Sequence, residues 1–329
     1  MRVSSGALRR VAVLGSVFVL TTGCSAIPPP DTVQTPTRPA ISTAAAAAVI
    51  THYNQVNSKA NSTLDGNLLA TVEGGALLQQ SQAWFEIARA SKAKPGAAYS
   101  YTSPVIGSPQ YGSYPMRFVS SAGFSGDKEY RHLGVWERAT AGSPWLLTFA
   151  TAVKSTVKIP DLTGLRVATR ADDAKLATPT QAAASSLATY LTGGSTSPRA
   201  AAFQPNADIT TMLTDLAKDK AEQMKDRVSV RSITNTFTAP PDSAAFVTKS
   251  GTAVVFVSLT HEYRLGVGNN WEFWWDSFPE RVYSPPTVKY QTALTSTTVR
   301  DAVLLVPPKG KGKIQVVSFT AQLVDAGGY

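Results

Sequence analysis

The stretch TAVVFVSLTHEYRL, residues 252–265, alternates in side-chain character and predicts a long β-strand. In a strand, successive side chains point to opposite faces of the sheet. One face of this strand therefore carries Ala253, Val255, Val257, Leu259, His261, Tyr263 and Leu265. Glu262 and Arg264 point to the other face.

The chain on either side of this strand predicts helices first and strands afterwards, in both halves. In the second half, apolar spacing predicts helices over 183–191 and 208–226, then strands over 228–238, 252–265, 288–295, 300–306 and 314–324. In the first half it predicts helices over 42–58, 64–72 and 77–88, then strands over 99–106, 114–121, 131–138 and 144–153.

This repeated order predicts an α+β protein with two tandem domains, 41–168 and 175–329. In each domain, N-terminal helices are expected to pack on a curved antiparallel sheet. The closing hairpins support a repeat, since residues 133–153 align without a gap on 303–323. Phe149 then matches Phe319, and both turns carry a glycine, Gly142 and Gly312.

The element order resembles the cone-shaped fold of the nuclear-transport-factor-2 superfamily, in which helices pack into a bent sheet around a pocket. The whole chain also resembles uncharacterised actinobacterial lipoproteins with two such domains. The superfamily contains isomerases, dehydratases and non-catalytic binding domains, so the resemblance implies a fold and does not identify an activity.

Residues 1–23 have the three parts of a secretory signal. Arg2, Arg9 and Arg10 precede an apolar run over 11–20, which would rise only about 15 Å as a helix and is too short to span a bilayer. The junction Thr-Thr-Gly-Cys that ends at Cys24 resembles the bacterial lipobox. The resemblance implies cleavage before Cys24, lipidation of its sulfur, and a membrane-anchored lipoprotein on the extracytoplasmic face. A plain secretory signal with a free Cys24 is the alternative.

Residues 24–40 are rich in proline and predict an extended tether between the lipid and the folded part. The excess of nine basic residues falls to six without the three arginines of the signal. That excess suits a protein near anionic lipids or wall polymers. Because the basic residues are scattered, we expect no nucleic-acid partner.

The sequence predicts no cofactor, no metal site and no catalytic residue. Cys24 is the only cysteine, and the three histidines His52, His132 and His261 show no metal-ligand spacing. The carboxylates of Asp215, Asp219 and Glu222 alternate with lysines along one predicted helix and are expected on a solvated face.

The segment NNWEFWWDSFPERVY, residues 269–283, holds three of the six tryptophans and predicts a ligand or interface surface. Strict alternation would place Trp271, Phe273 and Trp275 on one face and Trp274 on the other. The candidate ligand or interface residues are Trp271, Trp274, Trp275, His261 and Asp276. Aromatic rings beside carboxylates suit sugars, while intramolecular packing of every ring is the alternative.

These patterns favour a non-enzymatic binding or scaffold protein of the cell envelope. Its expected partners are the membrane, through the lipid on Cys24, and a cell-wall glycan or an envelope protein. The alternative is an envelope enzyme of isomerase or hydrolase type, which would use a cone-fold pocket in the second domain with His261 next to a carboxylate such as Asp276 or Glu280.

Overall fold

The computed structural model describes residues 37–94, 98–226, 228–268 and 270–329. The signal segment, Cys24 and residues 24–36 of the predicted tether lie outside the described residues. The described part, Thr37–Tyr329, forms one compact unit.

The first half begins with helices and continues into an antiparallel sheet. Its elements are β1 (Arg38–Pro39), α1 (Thr43–Thr63), α2 (Gly66–Leu69), α3 (Gly75–Ala90), β2 (Tyr101–Gly107), β3 (Gln110–Tyr111), β4 (Met116–Phe124), β5 (Asp127–Arg138) and β6 (Leu146–Lys154). The first sheet has the strand order β2-β4-β5-β6, and β1 pairs with β3 separately.

Local signals explain where α1 starts and ends. The Ser42 side chain accepts a hydrogen bond from the Ala45 amide and satisfies one of the free N–H groups of the first turn. The helix ends at Leu64, which adopts a left-handed conformation with φ of 53°. Ala46, Ile50, Tyr53, Asn57 and Ala60 form its buried face.

The second half repeats helices before strands. Its elements are β7 (Arg166–Val167), α4 (Arg170–Asp173), α5 (Thr180–Gly193), α6 (Ala207–Gln223), β8 (Val230–Thr238), β9 (Ala244–Val247), β10 (Ala253–Val267), β11 (Ala293–Val306) and β12 (Gln315–Gly328). The second sheet runs β12-β11-β10-β9-β7. Both β9 and β8 pair with the edge of β10 opposite β11, β9 near the start of β10 and β8 near its end.

The two sheets pack against each other, with helices on their outer faces. Val255, Val257 and Leu259 of β10 face the core that α5 covers. Val254 and Phe256 face the opposite way, into a layer shared with the first sheet. That layer has thirteen buried apolar residues, seven from before residue 166 and six from after it. The layers therefore run helix, sheet, sheet, helix.

The predicted α+β class is confirmed, because helices precede antiparallel strands in each half. The alternation predicted for 252–265 also holds along β10. Two strands predicted over 288–295 and 300–306 are in fact one, β11. The short strands β7 and β9 were not predicted. Arg166 and Val167 belong to the second sheet, although the predicted boundary assigns them to the first domain.

Among the described helices, none combines the length and apolar character that crossing a membrane requires.

Candidate functional site

A cavity of about 950 Å³ opens in the second half, between α6, the second sheet and the tryptophan-rich residues 270–283. We call these residues the aromatic segment. We call the cavity itself the acidic cavity, because five carboxylates and one guanidinium are among its lining side chains. The carboxylates belong to Asp208, Asp215, Asp219, Asp276 and Glu280, and the guanidinium to Arg300. His261, Trp274 and Trp275 line the same cavity.

His261 lies at the base of the acidic cavity and is only 4% exposed. The Arg300 Nε–H donates to His261 Nδ1 at 3.2 Å, so this ring nitrogen is unprotonated. His261 Nε2 then carries the proton and donates to Asn235 Oδ1 at 2.8 Å. The ring also stacks on Phe237, with centroids 4.1 Å apart. Both ring nitrogens are therefore occupied.

The surroundings keep His261 neutral. Burial, and then the nearby charge of Arg300, lower the pKa of His261 to about 3. Burial also lowers the pKa of Arg300 to about 10, which leaves its guanidinium charged at neutral pH. The guanidinium carbon lies within 6 Å of the ring centroids of Phe237 and Phe319. Arg300 is thus the fixed positive charge of the acidic cavity.

The aromatic segment does not form the regular strand that its alternation suggested. Phe273 and Trp275 pack against a small apolar core of the second sheet, and Trp275 Nε1 donates to the Gly327 carbonyl at 2.9 Å. Trp271 does not join them, since it is 47% exposed. Trp274 is 44% exposed, and the Lys289 ammonium lies 3.2 Å from its ring centroid.

The structure brings together four of the five predicted site residues. His261, Trp274, Trp275 and Asp276 line the acidic cavity, whereas Trp271 is not among its lining residues. Asp215 and Asp219, expected on a solvated face, also line it. Within the described ranges, no carboxylate is hydrogen-bonded to the His261 ring.

A second cavity, of about 390 Å³, lies between the helices of the first half and the first sheet. We call it the tyrosine cavity, after its lining residues Tyr53, Tyr99 and Tyr101. Trp84, Phe85 and His132 extend its aromatic wall. Thr320, Ala321 and Gln322 of β12 contribute a further wall, so both halves of the chain build this cavity.

Glu73 supplies the carboxyl group of the tyrosine cavity. Its backbone is held against β6, because the Leu147 amide donates to the Val72 carbonyl and the Gly74 amide donates to the Leu147 carbonyl. The side chain is 3% exposed, and Tyr53 donates its hydroxyl to Glu73 Oε1 at 2.8 Å. Burial raises the pKa of Glu73 to about 7, against the opposing effect of the Ser81 and Tyr53 hydroxyls.

Two polar atoms in the tyrosine cavity have no partner among the described residues. They are Glu73 Oε2 and Asn57 Nδ2. Asn57 is 2% exposed, and its Oδ1 accepts from Asn61 Nδ2 at 3.0 Å. Sequence patterns missed this pair. The available signal was Glu73 itself, the sole acidic residue between Asp65 and Glu86, in an otherwise uncharged stretch.

His132 completes the tyrosine cavity as a neutral group. Burial lowers its pKa to about 4, despite the opposing charge of Asp127. The Tyr101 hydroxyl lies 3.4 Å from His132 Nδ1, and the ring stacks on Phe124. Burial also raises the pKa values of Tyr53, Tyr99 and Tyr101, so the phenols stay protonated.

Metal ligation finds no support in the part of the chain that the structure describes. No group of three or more His, Cys, Asp or Glu side chains there has an arrangement that could hold a metal ion.

A family model described as "Domain of unknown function (DUF8094)" matches residues 37–328. The chain belongs to this family. The DUF8094 match spans both halves and both cavities in a single stretch. No curated protein and no solved structure matches the chain.

Proposed function

We propose that the chain is a membrane-anchored lipoprotein of the extracytoplasmic face that binds a cell-wall glycan in its acidic cavity. It acts by binding and carries out no reaction. The observation that supports the glycan site is the meeting of Trp274 and Trp275 with five carboxylates around one cavity of about 950 Å³.

Sugar chemistry matches this lining. Pyranose rings present apolar C–H patches that stack on aromatic faces, and their hydroxyls donate hydrogen bonds to carboxylates. Trp274 is 44% exposed, with the Lys289 ammonium 3.2 Å from its ring centroid, and Asp276 lines the same cavity. The volume lies within the usual range for small-molecule and cofactor sites.

The state of His261 favours binding over acid–base catalysis. A general base must accept a proton near the working pH. The unprotonated nitrogen of His261 already accepts a hydrogen bond from Arg300, and the pKa of the ring is about 3. His261 therefore acts as a support that orients Arg300, a lining residue of the cavity, and is itself held by Asn235.

Replacing Trp274 tests the glycan site. We expect Trp274→Ala to weaken co-sedimentation with purified peptidoglycan roughly tenfold, which corresponds to about 1.4 kcal/mol of binding free energy. Its melting temperature should change little, because the ring is half exposed. Trp271→Ala is the matched control, since Trp271 has similar exposure and does not line the acidic cavity.

Equal loss of binding in both variants would assign the effect to general surface hydrophobicity and not to the acidic cavity. Unchanged binding in Trp274→Ala and in Asp276→Asn would exclude the proposed glycan site. A loss of several kcal/mol of stability in Trp274→Ala would show that the ring serves packing.

The anchor is tested by Cys24→Ala. Its basis is the charged start, the short apolar run and the Thr-Thr-Gly-Cys junction of the sequence. We expect this variant to appear in the medium or to remain uncleaved, while the wild-type protein stays with the membrane fraction. Mass spectrometry of the wild-type N-terminus is the second measurement. A mature protein that starts elsewhere, with an unmodified Cys24, would contradict the anchor.

A further inference from the structure

The tyrosine cavity holds a carboxylate that lacks a positive partner. Glu73 Oε2 accepts no hydrogen bond from the described residues, although the side chain is 3% exposed and lines the cavity. An isolated buried carboxylate is costly unless it is paired or neutralised. Such a group either takes up a proton, as the raised pKa of Glu73 allows, or is completed by a cationic ligand.

Among the described residues that line the tyrosine cavity, none is a cation. The hydroxyls of Tyr53 on α1 and Ser81 on α3 act on Glu73. Tyr99 and Tyr101, from the chain at β2, also lie near Glu73, and neutral His132 of β5 lines the same cavity. The described lining residues from α3, β6 and β12 are all uncharged. When Glu73 is ionised, the site thus presents one negative charge inside a wall of aromatic rings.

We propose that the tyrosine cavity is a second ligand site that binds a small organic ammonium ion with a neighbouring oxygen acceptor. The ammonium N–H donates to Glu73 Oε2, and the aromatic wall attracts the positive charge. The unpartnered Asn57 Nδ2 donates to the oxygen of the ligand. A cavity of about 390 Å³ admits a molecule of the size of an amino alcohol or a benzylic amine.

The mouth of this cavity is accessible. Trp84, one of its lining residues, is 38% exposed, so the cavity reaches the surface beside α3. The site is separate from the acidic cavity and does not depend on glycan binding.

Charge preference is the direct test, by titration calorimetry on the folded part of the wild-type chain. The cationic probes are ethanolammonium and benzylammonium, and the neutral probes of matched size are ethylene glycol and benzyl alcohol. We expect each cation to bind at least tenfold more tightly than its neutral counterpart. Glu73→Gln should abolish this preference, and Asn57→Leu should weaken ethanolammonium more than benzylammonium, which lacks the oxygen.

The pH dependence of binding distinguishes an ammonium ligand from the main alternative, a neutral carbonyl ligand. A cation needs ionised Glu73, so its affinity should rise about tenfold from pH 6 to pH 8, as expected for a group with a pKa of about 7. A neutral carbonyl ligand held by protonated Glu73 would show the opposite trend.

Controls locate the effect in the tyrosine cavity. Asp276→Asn, in the acidic cavity, should leave benzylammonium binding unchanged, while Tyr53→Phe should alter its pH profile without removing the ring. Cations that fail to bind, that bind Glu73→Gln as well as wild type, or that bind more weakly as pH rises would overturn the proposal. Peptidoglycan co-sedimentation of Glu73→Gln should equal that of wild type, so failure of this site is distinguishable from failure of the glycan site.

Discussion

At the scale of single residues, burial decides the chemistry of both cavities. Glu73 and His261 are almost completely buried, yet their partners differ. His261 has a partner for each ring nitrogen, whereas Glu73 has one oxygen without any. A side chain whose hydrogen-bonding atoms all have partners holds its neighbours in place, whereas one with an unpartnered atom is available to a ligand. This difference is the physical reason for assigning a structural role to His261 and a binding role to Glu73.

The raised pKa of Glu73 also predicts how stability varies with pH. Its pKa rises from 4.5 to about 7 on folding, so the native state holds this proton more tightly than the unfolded state. The resulting stabilisation is complete below pH 4.5 and is lost as pH rises through 7. The difference of about 2.5 pKa units corresponds to about 3 kcal/mol.

Glu73→Gln removes this titration. We expect its free energy of unfolding, relative to wild type, to increase by about 3 kcal/mol between pH 4 and pH 8.5. Denaturant unfolding at several pH values measures the difference. Glu262→Gln, on the exposed part of β10, is the control for losing a carboxylate at the surface. A relative stability that stays flat with pH would show that the pKa of Glu73 is the same in the folded and unfolded protein.

At the scale of elements, the periodicity of apolar residues predicted the helices and strands that bury one continuous face. The alternation of β10 and the apolar stripes of α1 and α3 were sufficient, because each element buries a continuous face. The continuity of β11 was not predictable in this way. Its middle is polar, from Thr295 to Thr298, and pairing with β10 along its whole length keeps it extended.

The aromatic segment shows the same limit of local patterns. Its alternation suggested a strand, but Phe273 makes only an isolated bridge, to Tyr290. Gly268, just before it, allows a close approach of two backbone segments, since a Cβ there would lie 2.3 Å from the Val228 carbonyl oxygen. The sequence therefore identified His261, Trp274, Trp275 and Asp276 as site candidates. It could not reveal the acidic wall from α6, which depends on packing between distant segments.

At the scale of the whole molecule, the two halves share more than a linker. Each has a core beneath its own helices, but the layer between the sheets draws on both. Gln80 of α3 donates to the buried Asp301 of β11 at 2.9 Å, and Thr151 of β6 contacts Ser318 of β12 at 2.6 Å. The division into domains 41–168 and 175–329 remains a prediction. In the structure, the two halves share an extensive buried interface.

This interface predicts that the halves stay associated after the chain is cut. A protease site inserted after Lys158, in the exposed turn that follows β6, would separate residues 37–158 from 159–329. Of the thirteen buried apolar residues in the shared layer, five would belong to the first fragment and eight to the second, so separation would expose apolar surface on both fragments. We therefore expect the cut protein to elute as one particle in size-exclusion chromatography with light scattering. It should also retain ammonium binding, because Thr320–Gln322 would stay in the wall of the tyrosine cavity.

Expressed alone, each half should expose its side of the layer and self-associate, and mixing should restore a 1:1 complex. Phe256→Asp places a charge in the layer and should weaken the association of the two fragments of the cut protein. If the two halves are instead monomeric, fold cooperatively and do not bind each other, they are independent domains.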